Sequence, residues 1–229
     1  VPIVTHVHGA HVGPESDGYP EAWWLPNAKN IPAGYATRGT RFGQFDSSNA
    51  EPGTAVFQYP NDQRDMTLWY HDHALGMTRS NVYAGPAGFW LVRNPCTDEQ
   101  LGLPGPAPKL GDKPGTRYYE IPLAIQDRSF NADGSLFYPG DRAFFEGLDA
   151  DQLQIDFAPD SDVAPVWNPE AFFNTMVVNG RTWPSLADEP RRYRFRLLNG
   201  CDSRFLNLSL WVVDPDGNKL SELPFYVFG

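Results

Sequence analysis

Apolar and polar positions alternate along this chain in short runs broken by turn formers, and nowhere is a 3.6-residue helical period sustained. The alternation predicts strands over residues 1–8, 54–59, 67–73 and 88–92, each bounded by Pro, Gly, Asn or Asp. Residues 13–50 form a long polar, Pro-rich excursion, but Trp23 and Trp24 inside it predict an ordered, packed connection. From residue 93 to 117 the alternation disappears into PCTDEQLGLPGPAPKLGDKPGT, the composition of a boundary between units. Strands resume over 118–125, 175–178, 193–198, 205–213 and 223–228, with a tight turn at Asp133-Gly134. The pattern predicts an all-β chain of two consecutive sandwich units, residues 1–95 and 118–229, joined by a linker at 96–117. The arginines at 191, 192, 194 and 196 crowd one strand and are expected to mark its solvent side.

Composition sharpens this reading in a few places. Twenty-two Pro and 21 Gly against 20% charged residues suit short strands and turns. A formal charge of -10 argues against a nucleic-acid surface, which needs clustered Lys and Arg to displace counterions. No stretch approaches the roughly 18 to 20 apolar residues of a membrane helix, so no such span is expected. The chain opens on Val1 with neither a basic region nor a hydrophobic signal core, and is expected to be a fragment. Cys96 and Cys201 are isolated, and read more readily as two thiols than as a disulfide framework.

The five histidines carry the chemistry. They fall in two places, His6, His8 and His11 in THVHGAH, and His71 and His73 in WYHDHALGMTR. On a strand, residues i and i+2 face the same way, so each His-x-His pair aims two imidazoles in one direction, and two adjacent strands could converge four. That is the layout of a metal site, with ligands suited to copper, zinc, iron or nickel. Gly9 permits close backbone approach beside the first pair. His11 lies beyond the strand and reads as a surface or supporting group. Asp72, between two candidate ligands, should project to the opposite face as a hydrogen-bonding partner. Met66 and Met77 read as core fillers, and Trp69, Tyr70 and Tyr83 as packing residues.

HVHGAH, PESDGYPEAWW and WYHDHALGMTRSNVYAGPAGFWLVR together resemble the multicopper oxidases, most of all the spore-coat laccase and bilirubin oxidase branch of bacteria. IPLAIQDRSFNADGSLFYP and VVNGRTWPSLADEPRRYRFRLLNG are similar to the second domain of that branch. The resemblance implies cupredoxin-like Greek-key β-sandwiches, two consecutive units, both incomplete. It implies an oxidoreductase that takes single electrons from a small-molecule or metal-ion reductant and reduces dioxygen to water. Carried over by motif position, His6 would bind type-2 copper, His8 and His71 one type-3 copper, and His73 the other. Asp17 stands where similar enzymes keep a carboxylate thought to assist proton supply, although Asp17-Gly18 by itself reads as a turn. The family is often exported or associated with spores or the cell envelope, which sets the expectation for localisation.

The chain also departs from the family. A full member supplies four further histidines to the cluster, and a type-1 site of two His, one Cys and usually an axial Met. No histidine follows His73 here, and neither cysteine has one beside it. This chain is therefore expected to carry half of the trinuclear ligands and no type-1 copper, to depend on the missing remainder of the enzyme, and to be inactive alone. The competing expectation is a non-redox copper- or zinc-binding module that retains the four-histidine site.

Overall fold

The computed structural model describes residues 1–26, 29–45, 51, 53–138 and 170–228. Parts of the 13–50 connection and of the 118–229 unit lie outside them. Strands β1 (Thr5–His8), β2 (Met66–Asp72) and β3 (Ala87–Val92) form an antiparallel sheet in that order. A second sheet holds β4 (Glu120–Arg128), β5 (Thr175–Val178), β6 (Arg181–Thr182) and β7 (Arg194–Asn199) in the order β6-β5-β4-β7. There β4 runs antiparallel to β5 and parallel to β7. β8 (Leu210–Val213) and β9 (Lys219–Leu223) pair as a hairpin across the Asp214–Gly217 turn.

The all-β expectation holds, with differences of detail that have physical causes. Residues 54–59 join no ladder. The Gln58 amide instead donates to Ser16 Oγ (3.0 Å), while Phe57 and Tyr59 pack on Trp24 and Trp90, so their alternation reflects packing without strand pairing. Of residues 205–213 only Leu210–Val213 is strand, and its partner is Lys219–Leu223 rather than 223–228. Two short α-helices and a 3-10 turn at Pro20–Ala22 among the described residues went unpredicted, too brief to show a period. Helix α1 (Thr78–Ala84) stops at Gly85, whose φ of 124° leaves the helical region just before Pro86. Helix α2 (Pro95–Gln100) opens the expected linker, with Pro95 in its first turn and the Asn94 side chain accepting the Cys96 amide.

The connection before β2 is ordered in its described part, as the tryptophans imply. Trp24 bridges Ile3 on one side and Arg38 on the other, and with Val4 and Ala74 it forms a buried cluster that Phe42, Phe57 and Met77 extend. Asp72 closes the end of β2 against this core. Its carboxylate is buried and accepts from the Val4 amide (2.8 Å), the Ala74 amide (3.1 Å) and Asn81 Nδ2 (2.9 Å). This is the hydrogen-bonding role expected of it.

Two seams tie the sheets together. Tyr83 of α1 stacks on Phe173, and its hydroxyl donates to the Phe137 carbonyl (2.6 Å) while accepting from the Ser129 amide (3.0 Å). The other seam is ionic and overturns the solvent-side expectation for Arg194 and Arg196. Glu120, almost fully buried, receives both Arg93 guanidinium nitrogens (3.0 and 2.7 Å) and the Arg196 Nε. Arg196 also reaches Thr67 of β2 (2.7 Å), and Arg194 pairs with Asp98 of α2 (2.8 Å). The arginines point inward because β7 lies beside β4, opposite a buried carboxylate whose sequence neighbours do not disclose it. Arg191 sits at the surface, as expected.

Burial pushes the Glu120 carboxyl up, but the Arg93 and Arg196 hydrogen bonds outweigh it and hold the group below its ordinary 4.5. A carboxyl with a depressed folded value adds stability above its unfolded value and loses it as pH falls through the folded one. Glu120→Ala should cost about 3–5 kcal/mol at neutral pH by stranding buried guanidinium charge, and urea titrations at neutral and acidic pH should show the deficit shrinking below pH 4.5. Asp72→Ala should cost about 1–3 kcal/mol in the same assay, because buried amides lose their acceptor.

Candidate metal centre

Strand pairing assembles the site. In the β1–β2 register His6 lies opposite His71, and His8 opposite Trp69. Same-face alternation then sets His6, His8, Trp69 and His71 on one side of the sheet, with His73 two residues further on. The backbone keeps that line past the end of β2, since the His73 amide donates to the Val4 carbonyl (2.9 Å). The imidazole centroid of His6 is 5.4 Å from those of His8 and His71 and 4.8 Å from that of His73. One nitrogen each from His6, His8 and His71 lies within 4.8 Å of the others, while His73 joins the group by ring contact.

Backbone carbonyls orient three of the rings. His6 Nδ1 meets the Asp17 carbonyl (2.6 Å), His71 Nδ1 the Asp72 carbonyl (2.7 Å) and His73 Nδ1 the Gly18 carbonyl (3.1 Å). A carbonyl only accepts, so each Nδ1 must carry the proton, which leaves each Nε2 of the neutral ring with a free lone pair. This is the usual support of a metal-binding imidazole. Two of these carbonyls come from a loop pressed onto β1, which only glycine allows at position 18. Gly18 has φ +80°, and a Cβ there would stand 2.2 Å from the Thr5 carbonyl oxygen.

His8 differs. Its Nδ1 lies 3.3 Å from His71 Nε2, and it has no carbonyl partner among the described residues. Because His71 Nε2 carries no proton, His8 Nδ1–H donates to it. With the His8 proton moved to Nε2, both atoms offer lone pairs, and their separation is that of two ligands about 2.0 Å from one ion at a near-tetrahedral angle. The donor set and its spacing therefore fit a metal held by imidazoles. Burial lowers the His71 pKa, and the nearby His6, His8 and His73 add to the effect against the bond to Asp72. The shift favours the neutral form of His71, which is the form that binds metal.

The remaining candidates separate clearly. Asp17 Oδ1 lies 3.4 Å from His6 Nδ1, with its side chain 34% exposed, so this carboxylate touches both the site and solvent. The hydrogen-bonded turn falls earlier than expected, at residues 14–16, where the Ser16 amide donates to the Gly13 carbonyl (3.0 Å); Asp17 is a bend after it, and the Asp17 and Gly18 carbonyls follow that turn. His11 is exposed, tied to Gln63 through its amide, and takes no part in the cluster. Met77 lies against the Trp24 core, and Met66 Sδ accepts from Gln63. Cys96 and Cys201 are free thiols; burial, then the charge of Asp127, pushes the Cys201 thiol up to about 11. Sequence reasoning read Trp69 as a packing residue, but its ring centroid is 4.3 Å from that of His71 and 5.8 Å from that of His8. The signal was present, because position 69 is two residues before His71 on the same strand face.

Comparison with known proteins bears on this geometry. No family model matches the chain. It is 37% identical over 210 residues to a laccase of Bacillus subtilis, covering 92% of this chain and 33% of the laccase. A laccase of Bacillus stratosphericus is 39% identical over the same length and shares. Multicopper oxidase LPR1 homolog 1 of Oryza sativa subsp. japonica is 37% identical over 228 residues, 97% of this chain and 32% of that protein. The chain spans about a third of the length of the curated relatives it matches. Among solved structures, the McoA multicopper oxidase 2F4 variant from Aquifex aeolicus superposes with a TM-score of 0.53 at 22% identity, over 96% of this chain and 37% of that one. The CueO laccase-like multi-copper oxidase from Ochrobactrum sp. gives 0.53 at 21%, over 97% and 39%. The fold is thus the cupredoxin-like all-β fold of those structures, and along nearly its whole length the chain is similar in sequence to laccases and other multicopper oxidases.

Proposed function

We propose that this chain is the part of a laccase-like oxidase that supplies His6, His8, His71 and His73 to a trinuclear copper centre. The observation that carries the reading is the convergence of His6, His8 and His71 nitrogens, with carbonyls fixing the His6 and His71 tautomers. When bound, copper supplies reversible one-electron chemistry that lets electrons from a reductant be delivered together to dioxygen, giving water. His6 is assigned to the type-2 site, His8 and His71 to one type-3 copper, and His73 to the other, by motif position in the family.

The chain's own residues orient and protect that centre. The Asp17, Gly18 and Asp72 carbonyls hold three imidazoles by Nδ1, which leaves each Nε2 free to bind a metal. Asp17 is assigned to proton supply, since Oδ1 lies beside His6 and its partial exposure lets it take protons from solvent. The reductant, a small molecule or a metal ion, belongs to a type-1 site built by polypeptide outside this chain, whose five histidines are all at or before residue 73. Residues 1–95 and 118–229 are assigned to successive cupredoxin-like domains.

Copper titration of the 229-residue chain, read by metal content after dialysis, tests the site. Copper should be retained, and His8→Ala with His71→Ala should abolish retention without unfolding the chain; equal metal content in both proteins would sink the assignment. Tight zinc binding with no electron transfer from copper(I) to oxygen would instead favour a non-redox metal-binding module. Phenol oxidation by this chain alone should be absent, and turnover by the purified chain would overturn the incomplete-site reading.

A further inference from the structure

Among the four imidazoles, His8 is the one whose orientation no carbonyl of the described residues secures. His6, His71 and His73 are each held at Nδ1, whereas among the described residues His8 Nδ1 bonds only to His71 Nε2, and that bond must break if both nitrogens are to bind metal. Something else has to hold the His8 ring once a metal arrives. Trp69 is directly opposite His8 in the β1–β2 register, with ring planes 29° apart at 5.8 Å. The same indole lies against His71 at 4.3 Å, and among the described residues these two imidazoles are its aromatic neighbours. Trp69 belongs to neither buried hydrophobic cluster, so its placement on this face is not explained by core packing.

We infer that Trp69 is a positioning residue that braces the His8 and His71 imidazoles and thereby raises the affinity of the site for its metal. The inference rests on the proposed metal centre. The indole confines the faces of both rings, while the Asp72 carbonyl confines the Nδ1 edge of His71 alone, so less ring freedom is lost on binding. A metal-bearing imidazole is also electron-poor, and the electron-rich indole face attracts it more strongly than it attracts the neutral ring.

The test is copper(II) titration of the full chain against a competing chelator, with far-UV circular dichroism and melting temperature measured in parallel. Trp69→Leu should weaken copper binding about tenfold, and Trp69→Phe, which restores an aromatic face, should recover most of that loss. In a His8→Ala background the Trp69→Leu effect should shrink, which a general loss of structure would not produce. Unchanged copper affinity in Trp69→Leu, or an undiminished effect in the His8→Ala background, overturns the inference while the metal centre stands. Failure of the unsubstituted chain to bind copper removes the centre and the inference together.

Discussion

The antiparallel register of β1 against β2 is the constraint on which the candidate site depends. A shift of one residue would turn His71 and His73 to the face that carries Asp72, and bury the imidazoles where the core needs Leu68 and Val7. Several contacts hold that register from outside the strands. Asp72 caps the end of β2 with backbone donors from both sides of the pair, and the Asp17-Gly18 loop lies so close over β1 that it accepts from two imidazoles. The carboxylate that sits between two candidate ligands in sequence thus does structural work on the opposite face.

The same economy recurs between the sheets. Glu120 is one carboxylate serving guanidinium groups from the end of β3 and from β7, and α2 adds Asp98 to the group. Buried ion pairs of this kind contribute little net stability against an apolar alternative, but they penalise misalignment heavily, since any slip leaves charge unpaired. Tyr83 acts in parallel with a stacked ring and a saturated hydroxyl. The first sheet, which bears the histidines, is therefore held against the second by contacts that tolerate little displacement.

Legibility in the sequence varied with the range of the interactions involved. β2, β3, β4, β5 and β7 were readable because a half-buried strand must alternate, and β1 was found with its start placed too early. Residues 54–59 mimicked a strand because packing against Trp24 imposes the same alternation as pairing does. α1 and α2 were missed because so few turns display no period, although Asn94-Pro95 and Gly85-Pro86 are recognisable helix limits. Trp69 was seen only as a packing residue, since which neighbour it faces depends on the partner strand.

What the sequence by itself determined is the chemistry available: two His-x-His pairs on strands, few charges, abundant turns, and motifs shared with the multicopper oxidases. Those follow from local rules, because same-face projection and turn preference need only neighbouring residues. The tertiary structure alone decided that His6 meets His71, that the carbonyls of residues 17 and 18 set two of the tautomers, that an indole lies against His8, and that Arg196 is buried. Each of these joins residues far apart in the chain, where the energy of the contact depends on the whole fold and no local pattern records it.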